Sequence, residues 1–350
     1  MKTNRTIRNI CICAVEAPFV KGGAEIQLDS LARELEVRGY QVARVTLPFV
    51  WLPMRDILKN CLMWRWIELE RCTHQPIDLV ICSKFPTYAV KHPRKVTWLI
   101  HQFRQAYELH GTPHGTFSDL PEDKAVRQSI IDFDTRILRE SRAIFTESQN
   151  VANRLKRYNG LEGKPLYHPP QFWDKHYHAE YGDYILSVGR LVPLKRVDLL
   201  LRALQNVSLR AVIVGDGPQR AELESLAERL GISDRVTFMG ARWGQELVDL
   251  YAGARAVYYA PFDEDYGLVV PEAFRSRKPV VTTTDAGGTL EFVSDGETGW
   301  VTEPVPTEVA QALSQLSASQ KLCHRFGNAG YERVQFISWD YVIENLVEGV

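Results

Sequence analysis

Three observations predict an α/β fold of two Rossmann-like domains facing across a cleft. Short apolar runs alternate with amphipathic helical stretches from Ile10 onward. That rhythm breaks once, between Tyr158 and Gly182, where Gly160, Gly163, Pro165, Pro169 and Pro170 crowd together, and then restarts. A length of 350 residues suits two domains of ordinary size better than one core.

The elements follow in order. Ile10–Val15 reads as a buried strand, and Cys11 and Cys13 alternate on one face of it. Ala24–Arg38 places Ile26, Leu28, Leu31 and Leu35 near a 3.6-residue period, so it reads as a helix that Gly39 ends. Val42–Leu47, Leu79–Cys82, Val96–His101 and Ala143–Thr146 are further strands, and Ser148 can cap the helix after the last. Short connections between strand and helix imply parallel sheets covered on both faces. Beyond the break, strands are expected at Tyr184–Val188, Leu209–Val214, Val236–Met239, Ala256–Tyr259 and Val280–Thr283. Helices are expected at Arg196–Leu204 and Pro218–Leu230 and after Pro304. The domain reading is 1–165, a linker over 166–182, 183–335, and a C-terminal helix over 336–350 packing back on the first domain.

Composition narrows the function. Lys and Arg number 42 against 43 Asp and Glu, a balance that gives no reason to expect nucleic acid as partner. Residues 1–180 carry an excess of six positive charges and residues 181–350 an excess of seven negative ones. A mildly basic first domain would suit an anionic membrane face. No signal peptide and no uninterrupted run of 18 apolar residues is visible, so the expected location is cytoplasmic, at the inner face of the cell membrane. Trp51–Trp66 mixes Trp, Leu and Met with Arg55, Lys59 and Arg65, a pattern shared by interfacial helices and by ordinary buried ones. The six cysteines include no CxxC pair and read as free thiols of a reducing compartment.

The motifs that carry chemistry lie mostly in the second domain. Gly189 closes a strand, with Arg190 beside it and Lys195 five residues on at a helix start. A guanidinium fork and a point charge placed so make a diphosphate clamp. Gly215, Asp216 and Gly217 form another strand-to-helix turn, suited to the floor of a nucleotide pocket, with Pro218 expected at the first helical position. The run Glu264-Asp265-Tyr266-Gly267-Leu268-Val269-Val270-Pro271-Glu272 follows a strand. A helix starting near Tyr266 would turn the amides of Gly267, Leu268 and Val269 toward an anion. Glu272 could then accept both hydroxyls of a ribose, while Glu264 faces the group beyond the distal phosphate. Asp263, Glu264 and Asp265 have no further ligand spaced to complete a metal shell, so no metal site is expected.

Together these segments resemble the retaining, two-domain family 4 glycosyltransferases of the GT-B type (glycosyl transferases group 1). The matching pieces are Gly189–Arg196, Val214–Pro218, Glu264–Glu272, Lys278–Val281 and Gly287–Glu291. In the first domain, Gly22 and Gly23 resemble the family's glycine-rich loop at the donor phosphate. His101 resembles its histidine on the transferred sugar. The resemblance implies transfer of a sugar from a UDP-, GDP- or other nucleoside-diphosphate-sugar to a hydroxyl acceptor, with retention and without a required cofactor. Lipid-linked acceptors are among those it implies, in cell-surface polysaccharide or glycolipid synthesis. It casts His101, Arg190, Lys195 and Glu264 as catalytic. Two alternatives stand beside it: a nucleotide-sugar epimerase or hydrolase, and a non-catalytic nucleotide-sugar-binding subunit. Two positions depart from the family, which usually has glycine where this chain has Arg196 and Arg277. A left-handed conformation at Arg277 would cost roughly 1–2 kcal/mol.

Overall fold

The computed structural model describes residues 7–16, 22–50, 53–71 and 74–349. The first compact unit runs to Gln171 and takes up the chain again from Ser338; the second is Phe172–Ile337. Trp51, where the aromatic segment read from sequence begins, and Cys72, one of the six cysteines, lie outside the described residues.

In the first unit the order is β1 (Asn9–Glu16), α1 (Gly23–Val37), β2 (Gln41–Pro48), α2 (Ile57–Trp66), β3 (Leu79–Cys82), β4 (Lys95–Leu99), α3 (Pro121–Leu138), β5 (Ala143–Thr146), α4 (Gln149–Asn159) and β6 (Lys164–Pro165). Its strands are parallel and lie in the order β2-β1-β3-β4-β5-β6. Strand β1 is buried on both faces, as its unbroken apolar run requires. Ser148 Oγ accepts the Val151 amide at 3.1 Å and so caps α4, which Gly160 ends in a left-handed turn.

The chain from Tyr158 to Gln171 stays with the first unit. Asn159 is the last residue of α4, Lys164–Pro165 add a sixth strand, and Leu166 is fully buried. The Leu166 carbonyl accepts the Trp98 indole N–H at 3.2 Å, which fixes residues just after β6 to the sheet. Glycine and proline density signals irregular backbone, and irregular backbone can still be packed.

The second unit contains β7 (Tyr184–Val188), α5 (Val197–Leu204), β8 (Arg210–Val214), α6 (Arg220–Arg229), β9 (Val236–Gly240), α7 (Gln245–Gly253), β10 (Ala256–Tyr258), α8 (Val269–Arg275), β11 (Val280–Thr283), β12 (Gly299–Thr302), α9 (Pro306–Ala318) and α10 (Gln320–Arg333). Its sheet is also parallel, ordered β12-β11-β10-β7-β8-β9. β12 was not expected from sequence, because Gly299 and its polar neighbours hide a partly exposed edge strand. A Cβ on Gly299 would sit 1.9 Å from the Val280 carbonyl oxygen, so only glycine lets the two strands pair there.

The chain ends in α11 (Trp339–Ile343), capped by Ser338, and a last turn through Glu348. Val342, Ile343, Leu346 and Val347 are buried in the same cluster as Ile10, Ile12, Leu31 and Trp98 of the first unit. The Lys164 ammonium donates to Asn345 at 2.8 Å and Arg38 pairs with Asp340, so the tail is held by polar contacts as well.

Candidate active site

In the second unit the sequence-predicted residues gather where β7, β8 and β10 end. Gly189 follows β7 at φ 150°, and nothing lies within 4 Å of where a Cβ would stand. Gly215 and Gly217 have a different job. A Cβ on Gly215 would stand 1.9 Å from the Gly189 carbonyl oxygen, and one on Gly217 would stand 2.4 Å from that of Leu191. The lack of a Cβ at both positions lets the β7 and β8 loops close on each other. Asp216 supports the same turn: its Oδ1 accepts the Gly217 amide at 2.7 Å and its carbonyl accepts the Leu191 amide at 2.9 Å. Pro218 precedes the helix rather than starting it, since α6 begins at Arg220.

Arg190 is exposed, and among the described residues no side chain pairs with it. Lys195 is engaged: its ammonium donates to the Tyr259 hydroxyl at 2.8 Å, lies 5.2 Å from the Tyr259 ring centroid, and pairs with Glu264. Both partners of that pair keep about a fifth of their side-chain surface open, at 20% and 17%. Burial, with the Glu264 carboxylate next, pushes the Tyr259 phenol well above its ordinary range, so it stays a hydroxyl. Two of the three predicted catalytic groups of this unit, Lys195 and Glu264, therefore touch each other, which their separation of 69 residues in sequence does not announce.

The helix after Glu264 starts later than predicted. Val269 is the first residue of α8, and Gly267, at φ 81°, forms a turn whose carbonyl accepts the Val270 amide at 2.9 Å. A Cβ at Gly267 would meet Thr289 Oγ1 at 3.0 Å and the Tyr259 ring at 3.1 Å, so glycine is needed for packing as well as for φ. Glu272 stands in the second half of α8's first turn, partly exposed, and accepts the buried Tyr251 hydroxyl at 2.6 Å. Burial pushes its carboxyl up to about 7 against the opposing pull of that hydroxyl.

Gly22, Gly23 and His101 lie in the first unit. Gly22 caps α1, of which Gly23 is the first residue, and the Gly22 amide donates to Glu25 Oε2 at 2.9 Å. The other Glu25 oxygen accepts Lys84 Nζ at 2.9 Å, which ties the turn to the end of β3. The His101 Nδ1–H donates to the Gln102 carbonyl at 2.6 Å.

Sequence reading missed Tyr251, Tyr259, Glu25 and Lys84 as supporting groups. Glu25 had a local signal, an acid three residues past a helix N-cap. The tyrosines had none, because their relevance comes from strands and helices meeting in space. Among the described residues no group of three or more His, Cys, Asp or Glu side chains could hold a metal. No helix among them is long and apolar enough to cross a membrane.

Residues 172–333 match the family model described as glycosyl transferases group 1. The D-inositol 3-phosphate glycosyltransferase of Nocardia farcinica is 36% identical over 177 residues, covering 47% of this chain and 39% of that protein. The chain thus spans about two fifths of the length of that curated relative. Sucrose-phosphate synthase from Thermosynechococcus elongatus superposes with a TM-score of 0.78 at 18% identity, covering 95% of this chain and 96% of its own. Anabaena HepE in complex with UDP-glucose superposes at 0.70 and 20% identity, covering 97% and 98%. At such identities these likenesses speak for the fold. The chain has a GT-B fold, and its residues 172–333 match the glycosyl transferases group 1 family.

Proposed function

We propose that the protein is a retaining glycosyltransferase that moves a sugar from a nucleoside-diphosphate-sugar to a hydroxyl acceptor, in cell-surface polysaccharide or glycolipid synthesis. The observation that carries this reading is the grouping of exposed Arg190, the Lys195–Glu264 pair and the Glu272 carboxylate around the strand ends of the second unit. Similarity to a protein that holds UDP-glucose supports it.

In this reading Arg190 and Lys195 take the donor diphosphate, with the amides of Gly267, Leu268 and Val269 beside it. Glu272 takes the ribose hydroxyls, and Gly189, Gly215, Asp216 and Gly217 shape the pocket behind. Glu264 holds the transferred sugar through its hydroxyls. The family resemblance assigns His101 to the transferred sugar and the Gly22–Gly23 turn to the donor phosphate. As the bond from the anomeric carbon to the phosphate oxygen breaks, negative charge grows on the diphosphate. Cations already in place stabilise that charge more in the transition state than in the ground state. The acceptor oxygen bonds to the anomeric carbon on the face that the diphosphate leaves, and its proton passes to a phosphate oxygen.

Helix α2 supports a peripheral contact with anionic membrane at the inner face of the cell membrane, in a shortened form. Its Ile57, Cys61 and Trp64 are buried, whereas Leu62, Met63 and Trp66, the last 77% exposed, form an outward apolar group. Lys59 stands on the same helix.

A screen of sugar nucleotides, with products analysed in the presence and absence of acceptor, tests the reading. Transfer that needs acceptor supports it. Isomerised or released sugar as the sole product would replace it with an epimerase or hydrolase, and absence of donor binding would leave a non-catalytic subunit.

A further inference from the structure

Arg196, where the family usually has glycine, is spent entirely inside the second unit. Its backbone keeps the left-handed conformation that glycine would adopt, at φ 48°. Its side chain crosses to two other loops. Nε donates to the Ala260 carbonyl at 2.8 Å and NH2 to the Pro261 carbonyl at 2.9 Å. NH1 and NH2 fork onto Asp285 at 2.8 and 2.7 Å, and NH2 also reaches Thr283 Oγ1 at 2.8 Å. The Tyr258 hydroxyl donates to the Arg196 carbonyl at 3.1 Å.

Each loop so joined carries a group of the proposed site. Lys195 is the preceding residue. The Ala260–Pro261 stretch leads directly to Glu264, and the Phe262 amide donates to the Leu194 carbonyl at 2.8 Å. The Asp285 loop runs beneath Glu264: the Asp263 amide donates to the Asp285 carbonyl at 2.9 Å and the Gly288 amide to the Glu264 carbonyl at 2.8 Å. A planar fork with five donors is the side chain able to satisfy carbonyls and a carboxylate on two loops at once. Lysine cannot copy it.

We infer that Arg196 is a positioning residue whose guanidinium bolts the 260–264 and 283–288 loops to the 195–196 turn and thereby sets the register of the Lys195–Glu264 pair. The clamp itself stands on the contacts above; its consequence for turnover rests on the glycosyltransferase reading. Because Glu264 is the group proposed to meet the sugar, a loosened clamp lowers the rate of sugar transfer more than it weakens nucleotide binding.

The test uses the full chain as wild type, Arg196→Gly and Arg196→Lys. Hydrogen exchange is read in peptides covering 260–268 and 283–290, with 210–214 of β8 as reference. The clamp predicts exchange about 10-fold faster in both loops of either variant, with the reference peptide unchanged. With the donor selected in the sugar-nucleotide screen, kcat falls by about 10- to 100-fold while KM stays within about threefold. Guanidinium ion at millimolar concentration restores part of the kcat of Arg196→Gly, and sodium ion does not. Unchanged exchange in both loops overturns the inference, as does a kcat equal to wild type in both variants. Full recovery by lysine overturns the fork in favour of charge alone. If Arg196→Gly fails to fold, Arg196→Lys decides the matter. Absence of donor turnover by the wild type would sink the glycosyltransferase reading, and the exchange measurement would still settle the clamp.

Discussion

Single residues act here mostly through where burial leaves their charge. Glu272 is the clearest case, its carboxyl raised to about 7 by desolvation. A carboxylate can accept two ribose hydroxyls only when ionised, so nucleoside diphosphate affinity rises with pH between about 6.5 and 8. Titration calorimetry across that range checks it: Glu272→Gln removes this part of the slope, and an identical slope in both proteins counts against the assignment. Asp134 gives a stability counterpart. It is buried, its carboxyl lifted to about 7 by burial, and it accepts the Tyr107 hydroxyl at 2.7 Å. Its folded-state value lies above the ordinary one, so its contribution is fully present below about pH 4 and is lost as pH rises through 7. Asp134→Asn flattens that decline, as read by urea unfolding at pH 5 and pH 8; parallel losses in both proteins contradict it. Arg190 and Lys195 were legible in sequence as cations at a strand exit. The Lys195–Glu264 contact was not, since 69 residues separate them and only the sheet order brings them together.

At the level of elements, glycine marks where loops must close. A methyl group on Gly215 would stand 1.9 Å from the Gly189 carbonyl oxygen, at φ 136°. Gly215→Ala costs roughly 1–3 kcal/mol of stability and displaces the Arg190 loop. A melting temperature and a donor affinity both equal to wild type would refute that. Most strands and α1 were readable because buried parallel strands are continuous apolar runs and α1 has a clean period. β6 and β12 escaped because two residues, or an edge containing glycine, give no run to read. The start of α8 moved from Tyr266 to Val269 because Gly267 is locked by the Thr289 and Tyr259 side chains, which no local pattern encodes. On α2, Trp66→Ser is expected to weaken co-flotation with anionic liposomes at low salt. If the wild type stays at the bottom of the gradient, the membrane contact falls.

Over the whole chain, the two sheets share one strand order over five strands and differ by a strand at each outer edge, and the C-terminal tail completes the first unit instead of the second. Leu346 is fully buried beside Ile10 and Trp98, so Leu346→Ala should destabilise the first unit by about 2–5 kcal/mol. The division into two α/β units and the tail's apolar stripe could be read from pattern and length. What could not be read is that residues 166–171 stay with the first unit, since that depends on Leu166 packing in one buried cluster with Trp98 and accepting its indole N–H. On the proposed function, the second unit grips a nucleoside diphosphate through Arg190, Lys195 and Glu272. Calorimetric titration of the full chain with a panel of nucleoside diphosphates tests it most directly. Arg190→Ala, Lys195→Ala and Glu272→Ala should each weaken the preferred ligand by about 10- to 100-fold, the loss expected for a charge-assisted hydrogen bond. Binding of equal strength in wild type and all three variants would contradict it.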